Sequence, residues 1–548
     1  MPLRAFFLPI LLTLSLAGPA AAATQSPIDQ ANPSVIEEEL RQVEPPERAS
    51  QMPPRLETIA PSAVELDHTI MVGAIRIEGA SAIPAAVFAP IIDAYVGRTL
   101  SSDDLKALAS DIATIARTRG YGLATAWIPA QKITNGIIRV VLDEGRIDEV
   151  RVQGGASAPV TRILSALATG EPVKTAQLER QLLLAGDLQG VRLGKARLQR
   201  IDGRRVLVVT ADRDRVRGRA TLDNWGSKEV GPLRARLSTD INGLLAQDDR
   251  LSIGTMVTPL QPREFGLVSL AYSKVLGTSG TEVHVSGYHA KTEAGGILKG
   301  RDIDGRSSYA EVGVSRPLLR SRPVSLWAYL DFGILGATQS RRGVTFSDDR
   351  IAALSASLYG TAAVASGRLR GRLTYKRGLN LFDATTGGDR LASRRDGSAI
   401  FSKLEFWAGY DRSLGANLSI ALQLEGQLAS RALLSSEEMG LGGRYFLRGY
   451  ESRERSGDDG VAGSAELRWD VGLSNDASAQ FYAYVDGGEV DNHRDGFGSG
   501  SLASAGGGVR VQLDRVEAGL EVGVPLRKAA YSGEENDPRI SYTLATRF

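Results

Sequence analysis

From Val216 to the C-terminus, apolar and polar residues alternate with a period of two. Leu418, Ile420, Leu422 and Leu424 share one face of a strand, with Ser419, Gln423 and Glu425 on the other. Ala465, Leu467, Trp469 and Val471 alternate with Glu466, Arg468 and Asp470, and Phe481, Ala483 and Val485 alternate with Tyr482, Tyr484 and Asp486. The same rhythm runs through Ala518 to Val524 and through the closing residues Ile540, Tyr542, Leu544, Thr546 and Phe548. Such alternation predicts antiparallel strands with one apolar face. That face turns inward in a soluble sandwich and toward lipid in a membrane barrel. A secretory signal sequence at the start of the chain, strands of about ten residues and an apolar-aromatic last strand together predict the barrel. At roughly 21 residues per strand and connection, 216–548 holds sixteen strands.

Upstream the period changes. Ile70 to Glu78 reads as a strand, Ser101-x-x-Asp104 as a capping box, and Leu105, Leu108, Ile112 and Ile115 as one helical stripe ended by Gly120. Leu123 to Ile128 reads as a strand, and Asn135-Gly136 as a hairpin turn into the strand Ile137 to Leu142. The order β-α-α-β-β then recurs. It runs through strand Ile147 to Gln153, helix Val160 to Ala168, helix Thr175 to Ala185, and strands Val191 to Gln199 and Arg204 to Ala211 about an Asp202-Gly203 turn. Two tandem copies, 68–146 and 147–215, predict a pair of small α+β binding modules.

The first 23 residues have the form of a secretory signal peptide: Arg4, an apolar run from Phe6 to Leu16, then Ala21-Ala22-Ala23. About eleven apolar residues are too few for a helical span. Residues 24–67 are punctuated by proline and predict an extended linker with no core of its own, apart from a short helix from Ser34 to Val43.

Composition removes several functions. With 65 Lys and Arg against 63 Asp and Glu, the chain lacks the basic excess of a nucleic-acid protein. It has no cysteine, which excludes disulfides, thiol nucleophiles and Cys-based zinc sites. His68, His284, His289 and His493 show no metal-site spacing, so neither metal nor cofactor is expected. No phosphate loop, nucleophile elbow or triad is legible, so an enzyme is not expected.

Three stretches carry a family likeness: Arg119-Gly120-Tyr121 with Gly136 to Ile147, Leu178 to Leu184 with Gln189-Gly190-Val191, and Gly442-Gly443-Arg444-Tyr445-Phe446-Leu447-Arg448-Gly449-Tyr450. Gly457-Asp458-Asp459-Gly460 continues the third, and Tyr484-x-Asp486-x-Gly488 follows it. Together they resemble the outer-membrane transporters of two-partner secretion, the haemolysin and filamentous-haemagglutinin transporter family. In that family a plug helix and linker precede two polypeptide-transport-associated (POTRA) modules and a sixteen-stranded barrel. The resemblance implies that Arg448, Gly449 and Tyr450 lie on a loop folded back into the barrel. Tyr484, Asp486 and Gly488 then belong to the strand that receives it. A guanidinium leaving bulk water needs an anionic partner, and a carboxylate can bind it through two parallel hydrogen bonds.

The expected function is secretion, without ATP, of a large unfolded exoprotein from the periplasm to the surface of a Gram-negative cell. The modules lie in the periplasm and the barrel in outer-membrane lipid. Phe548 serves as an assembly signal toward the barrel-assembly machinery. One alternative is a barrel-insertion factor of the same superfamily, which usually carries more than two modules. Another is a simple porin, which would not need the periplasmic arm.

Overall fold

Sixteen antiparallel strands close into one barrel, and two α+β modules stand at one end of it. The computed structural model describes residues 31–34, 56–58, 69–474, 476–493, 499–528 and 537–548. The signal-peptide segment lies outside the described residues, as does the Ser34–Val43 helix beyond Ser34.

β1 (Leu56–Thr58) precedes the modules. The first module contains β2 (Ile70–Met71), β3 (Ala74–Glu78), α1 (Ala89–Tyr95), β4 (Thr99–Leu100), α2 (Ser102–Thr118), β5 (Thr125–Trp127) and β6 (Ile137–Asp143). Ser101 and Asp104 form the reciprocal capping box at the start of α2, whose Leu105, Leu108 and Ile112 are buried against Ile138, Val140 and Leu142 of β6. Two local expectations need correction. Ile70 to Glu78 is not one strand, because β2 leaves to pair with β4 while β3 runs parallel to β6. Asn135-Gly136 does make a tight turn, with φ of 54° and 70°, and Ile137 N donates to Thr134 O. It does not join paired strands, since the antiparallel partner of β6 is β5, ten residues upstream of Ile137 at its nearer end.

The second module contains β7 (Glu149–Gln153), α3 (Ser157–Leu164), α4 (Thr175–Gly186), β8 (Val191–Ile201) and β9 (Arg204–Arg213). Its sheet has the order β1-β8-β9-β7. The linker therefore contributes a strand, contrary to expectation: Leu56–Thr58 pairs parallel to Ala196–Leu198 along an edge with unpaired backbone groups. The modules are fastened to each other. Leu123 of the first is buried in the core of the second, and Arg205 Nε lies 2.8 Å from Asp143 Oδ2.

The barrel begins with β10 (Val216–Asp223), β11 (Arg234–Asn242), β12 (Asp249–Val257), β13 (Phe265–Leu276) and β14 (Thr281–Glu293). It continues through β15 (Ile303–Arg320), β16 (Val324–Arg341), β17 (Val344–Val364), β18 (Gly367–Leu379), β19 (Ser402–Ser413) and β20 (Leu418–Ala429). A small hairpin, β21 (Met439–Leu441) and β22 (Arg455–Gly457), interrupts it. Then come β23 (Asp459–Ser474), β24 (Ala477–Asp491), β25 (Gly500–Leu513), β26 (Val516–Pro525) and β27 (Arg539–Arg547), which pairs back onto β10. Leu467, Trp469, Phe481, Val485, Leu520, Ile540 and Leu544 are exposed on the outer face, and polar residues line the lumen. That is the arrangement for a wall solvated by lipid. The strands are not uniformly near ten residues: β15 and β16 have 18 each and β17 has 21. About ten suffice to cross, so the surplus extends beyond the membrane. Phe548 closes the seam. Its backbone exchanges two hydrogen bonds with Gly218, and its ring lies where a Cβ at 218 would be.

The second module is docked on turns at one end of the barrel. Asp187 binds the Arg320 guanidinium through two hydrogen bonds of 2.8 and 2.7 Å, and Arg162 pairs with Asp248 at 2.7 Å. Val275 of β13 is part of that module's core. The other mouth opens on the opposite side of the membrane.

Candidate functional site: an inward-folded loop locked to the barrel wall

Between the eleventh barrel strand, β20, and the twelfth, β23, the chain does not turn back at once. Residues 430–458 enter the lumen, stiffened by the β21–β22 hairpin. Apolar residues hold it there. Met439, Leu441, Phe446, Leu447 and Tyr450 of the loop are buried with Ala462, Val490 and Leu502 of the wall.

Arg448 stands at the tip, nearly buried. Its Nε donates to Asp486 Oδ2 at 3.0 Å and its Nη2 to Asp486 Oδ1 at 3.1 Å, a two-point grip. Its backbone N–H donates to the same carboxylate at 3.2 Å. Nη1 reaches Glu466 Oε2 at 2.7 Å and lies 3.5 Å from Glu521 Oε2, and Nη2 reaches Ser464 Oγ at 3.2 Å. The guanidinium carbon lies 3.3 Å from the centroid of the Tyr484 ring. A charge removed from water is thus held by carboxylates at its edge and a ring on its face.

The neighbouring residues explain the close fit. Gly449 has no Cβ, and one there would stand 2.9 Å from Pro525 N and Val524 C of β26. Tyr450 Oη donates toward Ala503 O at 2.8 Å and Arg527 O at 2.7 Å, so it reaches two strand ends. Gly488 lies under Leu441 of the hairpin, where a Cβ would come within 3.0 Å. Arg448, Gly449, Tyr450, Tyr484, Asp486 and Gly488 therefore converge on one patch of wall. Phe548 stands apart, at the module-side end of the seam where β10 begins.

Several members of this cluster had no distinguishing signal in the sequence. Arg510 lies over Tyr482 at 3.7 Å and binds Glu466 at 2.8 Å. Glu521 accepts from Tyr482 Oη at 2.7 Å and from Tyr484 Oη at 3.3 Å. At the loop's base, Arg394 Nη1 bridges Glu438 and Asp458, each at 2.8 Å, and Lys403 Nζ meets Glu437 at 2.9 Å. Inward parity was the only sequence mark of Glu466, Arg510 and Glu521, and every polar lumen residue shares it; Arg394, Glu437 and Glu438 lie on loops and had none.

The N-terminal segment also enters the lumen. Ala31, Asn32 and Ser34 are buried, Thr292 Oγ1 donates to Ala31 O at 2.8 Å, and Pro33 packs into the space left by Gly305.

A sixteen-stranded barrel with an inward-locked loop and two modules beneath it defines an outer-membrane transporter of the POTRA-barrel class. The family model described as haemolysin secretion/activation protein ShlB/FhaC/HecB matches residues 202–511, and a ShlB-type POTRA model matches 70–145. The chain belongs to that haemolysin secretion/activation family. It is 25% identical over 421 residues to the heme/hemopexin transporter protein HuxB of Haemophilus influenzae strain 86-028NP, covering 72% of each chain. It is 23% identical over 470 residues to the outer membrane transporter CdiB of Dickeya dadantii, covering 80% of this chain and 79% of that one. The solved CdiB from Escherichia coli superposes with a TM-score of 0.74 at 20% identity, covering 96% of this chain and all of that one. The fold and family place the chain in the outer membrane as a transporter of two-partner secretion, with its modules in the periplasm. They favour secretion over barrel insertion or a plain porin.

Proposed function

We propose that the chain carries one large unfolded exoprotein from the periplasm through its own barrel to the cell surface. The observation that supports this most directly is one of placement. The second of the two modules is pinned by Asp187–Arg320 and Arg162–Asp248 to turns at the entrance of a lumen that holds two protein segments, 31–34 and 430–458, and the first module is fastened to the second. In the first module the strand order β3-β6-β5 leaves β5 at an edge, where an extended passenger could add as a further strand. With no nucleotide-binding loop in the sequence, folding of the passenger outside would supply direction, because it withdraws translocated segments from the unfolded population.

In this reading the loop bearing Arg448, Gly449 and Tyr450, held by Tyr484, Asp486 and Gly488, shapes the conduit and keeps it organised at rest. The N-terminal segment obstructs the lumen until a passenger arrives. Phe548, on the lipid-facing end of β27, marks the chain for the barrel-assembly machinery. Deleting residues 70–213 should abolish secretion while a folded, heat-modifiable barrel still reaches the outer membrane. Undiminished secretion by that truncation would sink the role given to the modules.

A further inference from the structure

On the lumen wall, away from the Arg448 cluster, three side chains from three consecutive strands converge. His284 lies on β14, Glu311 on β15 and Asp331 on β16. His284 is paired across the sheet with Gly313, and Gly313 with Asp331, so the histidine and aspartate flank a glycine in one row. Two strand spacings separate their backbones by about 9.6 Å. They meet because the residue between them has no side chain. A Cβ at 313 would collide with Asp331 Oδ1 and stand 2.6 Å from His284 Nε2. Over that notch His284 Nε2 lies 3.2 Å from Asp331 Oδ1 and 3.5 Å from Glu311 Oε1. The three donor atoms all lie within 4.8 Å of one another.

We propose that this row is a binding site for one divalent first-row transition-metal ion, with zinc-like preference for mixed nitrogen and oxygen donors. Donors about 2.1 Å from a common ion, at tetrahedral or octahedral angles, stand about 3.0–3.4 Å apart. The two His284 contacts are at or near that spacing. Among the described residues Asp331 Oδ1 is buried and makes no other hydrogen bond, so its approach to His284 Nε2 is its one polar contact there. A lone pair on Nε2 and one on Oδ1 aimed at a shared cation would explain that geometry. Two carboxylates beside each other repel, and a divalent ion neutralises both. One imidazole with two carboxylates is a donor set that suits Zn, Mn, Fe, Co or Ni. Tyr309 supplies an outer support, since its Oη donates to the other Glu311 oxygen at 2.5 Å and its ring stacks on Tyr288 at 5.7 Å. Three protein donors leave coordination positions for water on the lumen side. Ser34 of the N-terminal segment lines the same cavity as Glu311 and Asp331, so the ion would sit in the wall facing that segment. The inference does not depend on what the barrel transports.

The test uses full-length protein in detergent, prepared without a polyhistidine tag, stripped with chelator and titrated with Co2+. The expected result is one saturable equivalent per chain, with a visible d–d absorption band that Zn2+ abolishes by displacement. Tyr309→Phe should weaken binding about tenfold, as loss of an outer-shell partner does. Gly313→Ala, which keeps all three donors but fills the notch, should weaken it by at least about the same factor. His284→Ala should remove the band, with heat-modifiable migration confirming a folded barrel. Glu311→Gln provides the same reading if His284→Ala does not assemble. No saturable equivalent in the wild type would overturn the proposal and leave an imidazolium held between two carboxylates. Unchanged binding in both Gly313→Ala and a donor variant would place the ion elsewhere and overturn it as well.

Discussion

Arg448 is held on several sides at once, and this sets what its removal should do. Arg448→Ala would leave Asp486, Glu466 and Glu521 close together with one cation fewer among them. Breaking a buried pair of this kind costs about 3–5 kcal/mol locally. Asp486→Ala should be milder, because Glu466 and the Tyr484 ring still hold the guanidinium. We therefore expect secretion to fall more in Arg448→Ala, and the double variant to show much less than the sum of the two losses. Arg448→Lys should restore little, since an ammonium cannot grip a carboxylate in two places while lying flat on a ring. A double-mutant cycle on secretion, with outer-membrane levels as control, measures this. Additive losses would mean that the two residues act separately. Arg448 and Asp486 were readable as a pair because the motifs they sit in resemble those of a known family. Glu466, Arg510 and Glu521 were not, because alternation marks which way a side chain points and says nothing of its partner several strands away.

Among the elements, the first module has a clasp that ties its entry turn to the end of β6. Glu144 is buried and accepts from Ser81 N at 3.0 Å, Ser81 Oγ at 2.7 Å, Ala82 N at 3.0 Å and Ile83 N at 2.9 Å. Burial alone would push this carboxyl up. The four donors outweigh it and hold the group below its ordinary value of 4.5. Because the folded pKa is the lower one, the clasp's contribution to stability is complete above the unfolded value. It is lost as pH falls from about 4.5 through the folded pKa. Amide exchange over residues 80–84 of the full chain should therefore be slow at neutral pH and gain an extra increment of exposure in acid. Glu144→Gln should show that exposure already at neutral pH. Equal protection in the variant and the wild type would remove the clasp. Helix α2 and its cap could be read from Ser101, Asp104 and the Leu stripe, since both depend on near neighbours. The break in Ile70 to Glu78 could not, because it is made by the remote partner Thr99–Leu100.

At the scale of the whole molecule, the lumen is occupied from two directions: by the 430–458 loop and by residues 31–34. The second rests on β14 and β15 through Thr292 and Gly305. If it obstructs the pore, deleting residues 31–43 should raise single-channel conductance in planar bilayers severalfold, with the barrel still folded. Equal conductance with and without the segment would show that the remaining space, or the loop, sets the flow. The linker strand β1 on the second module means that this deletion would keep one attachment of the N-terminal region, Leu56–Thr58 on β8. A change in conductance would then report on the pore itself.

Periodicity determined the element type of each region, two α+β modules and then a run of alternating strands, and the signal sequence, strand length and closing strand turned the apolar side of those strands outward. A strand shows its parity, and a helix its stripe, in consecutive residues. Chain length was enough for sixteen strands, and the inward loop was legible through the likeness of its motif to a known family. Tertiary structure decided the rest. It lengthened β15 to β17 beyond the membrane, placed the linker on a sheet edge, built a network of acids around Arg448, and brought His284, Glu311 and Asp331 together over Gly313. Each of these depends on register between strands. Register joins residues tens of positions apart, and a side chain's partner is set by the row it shares across the sheet, which local alternation does not encode.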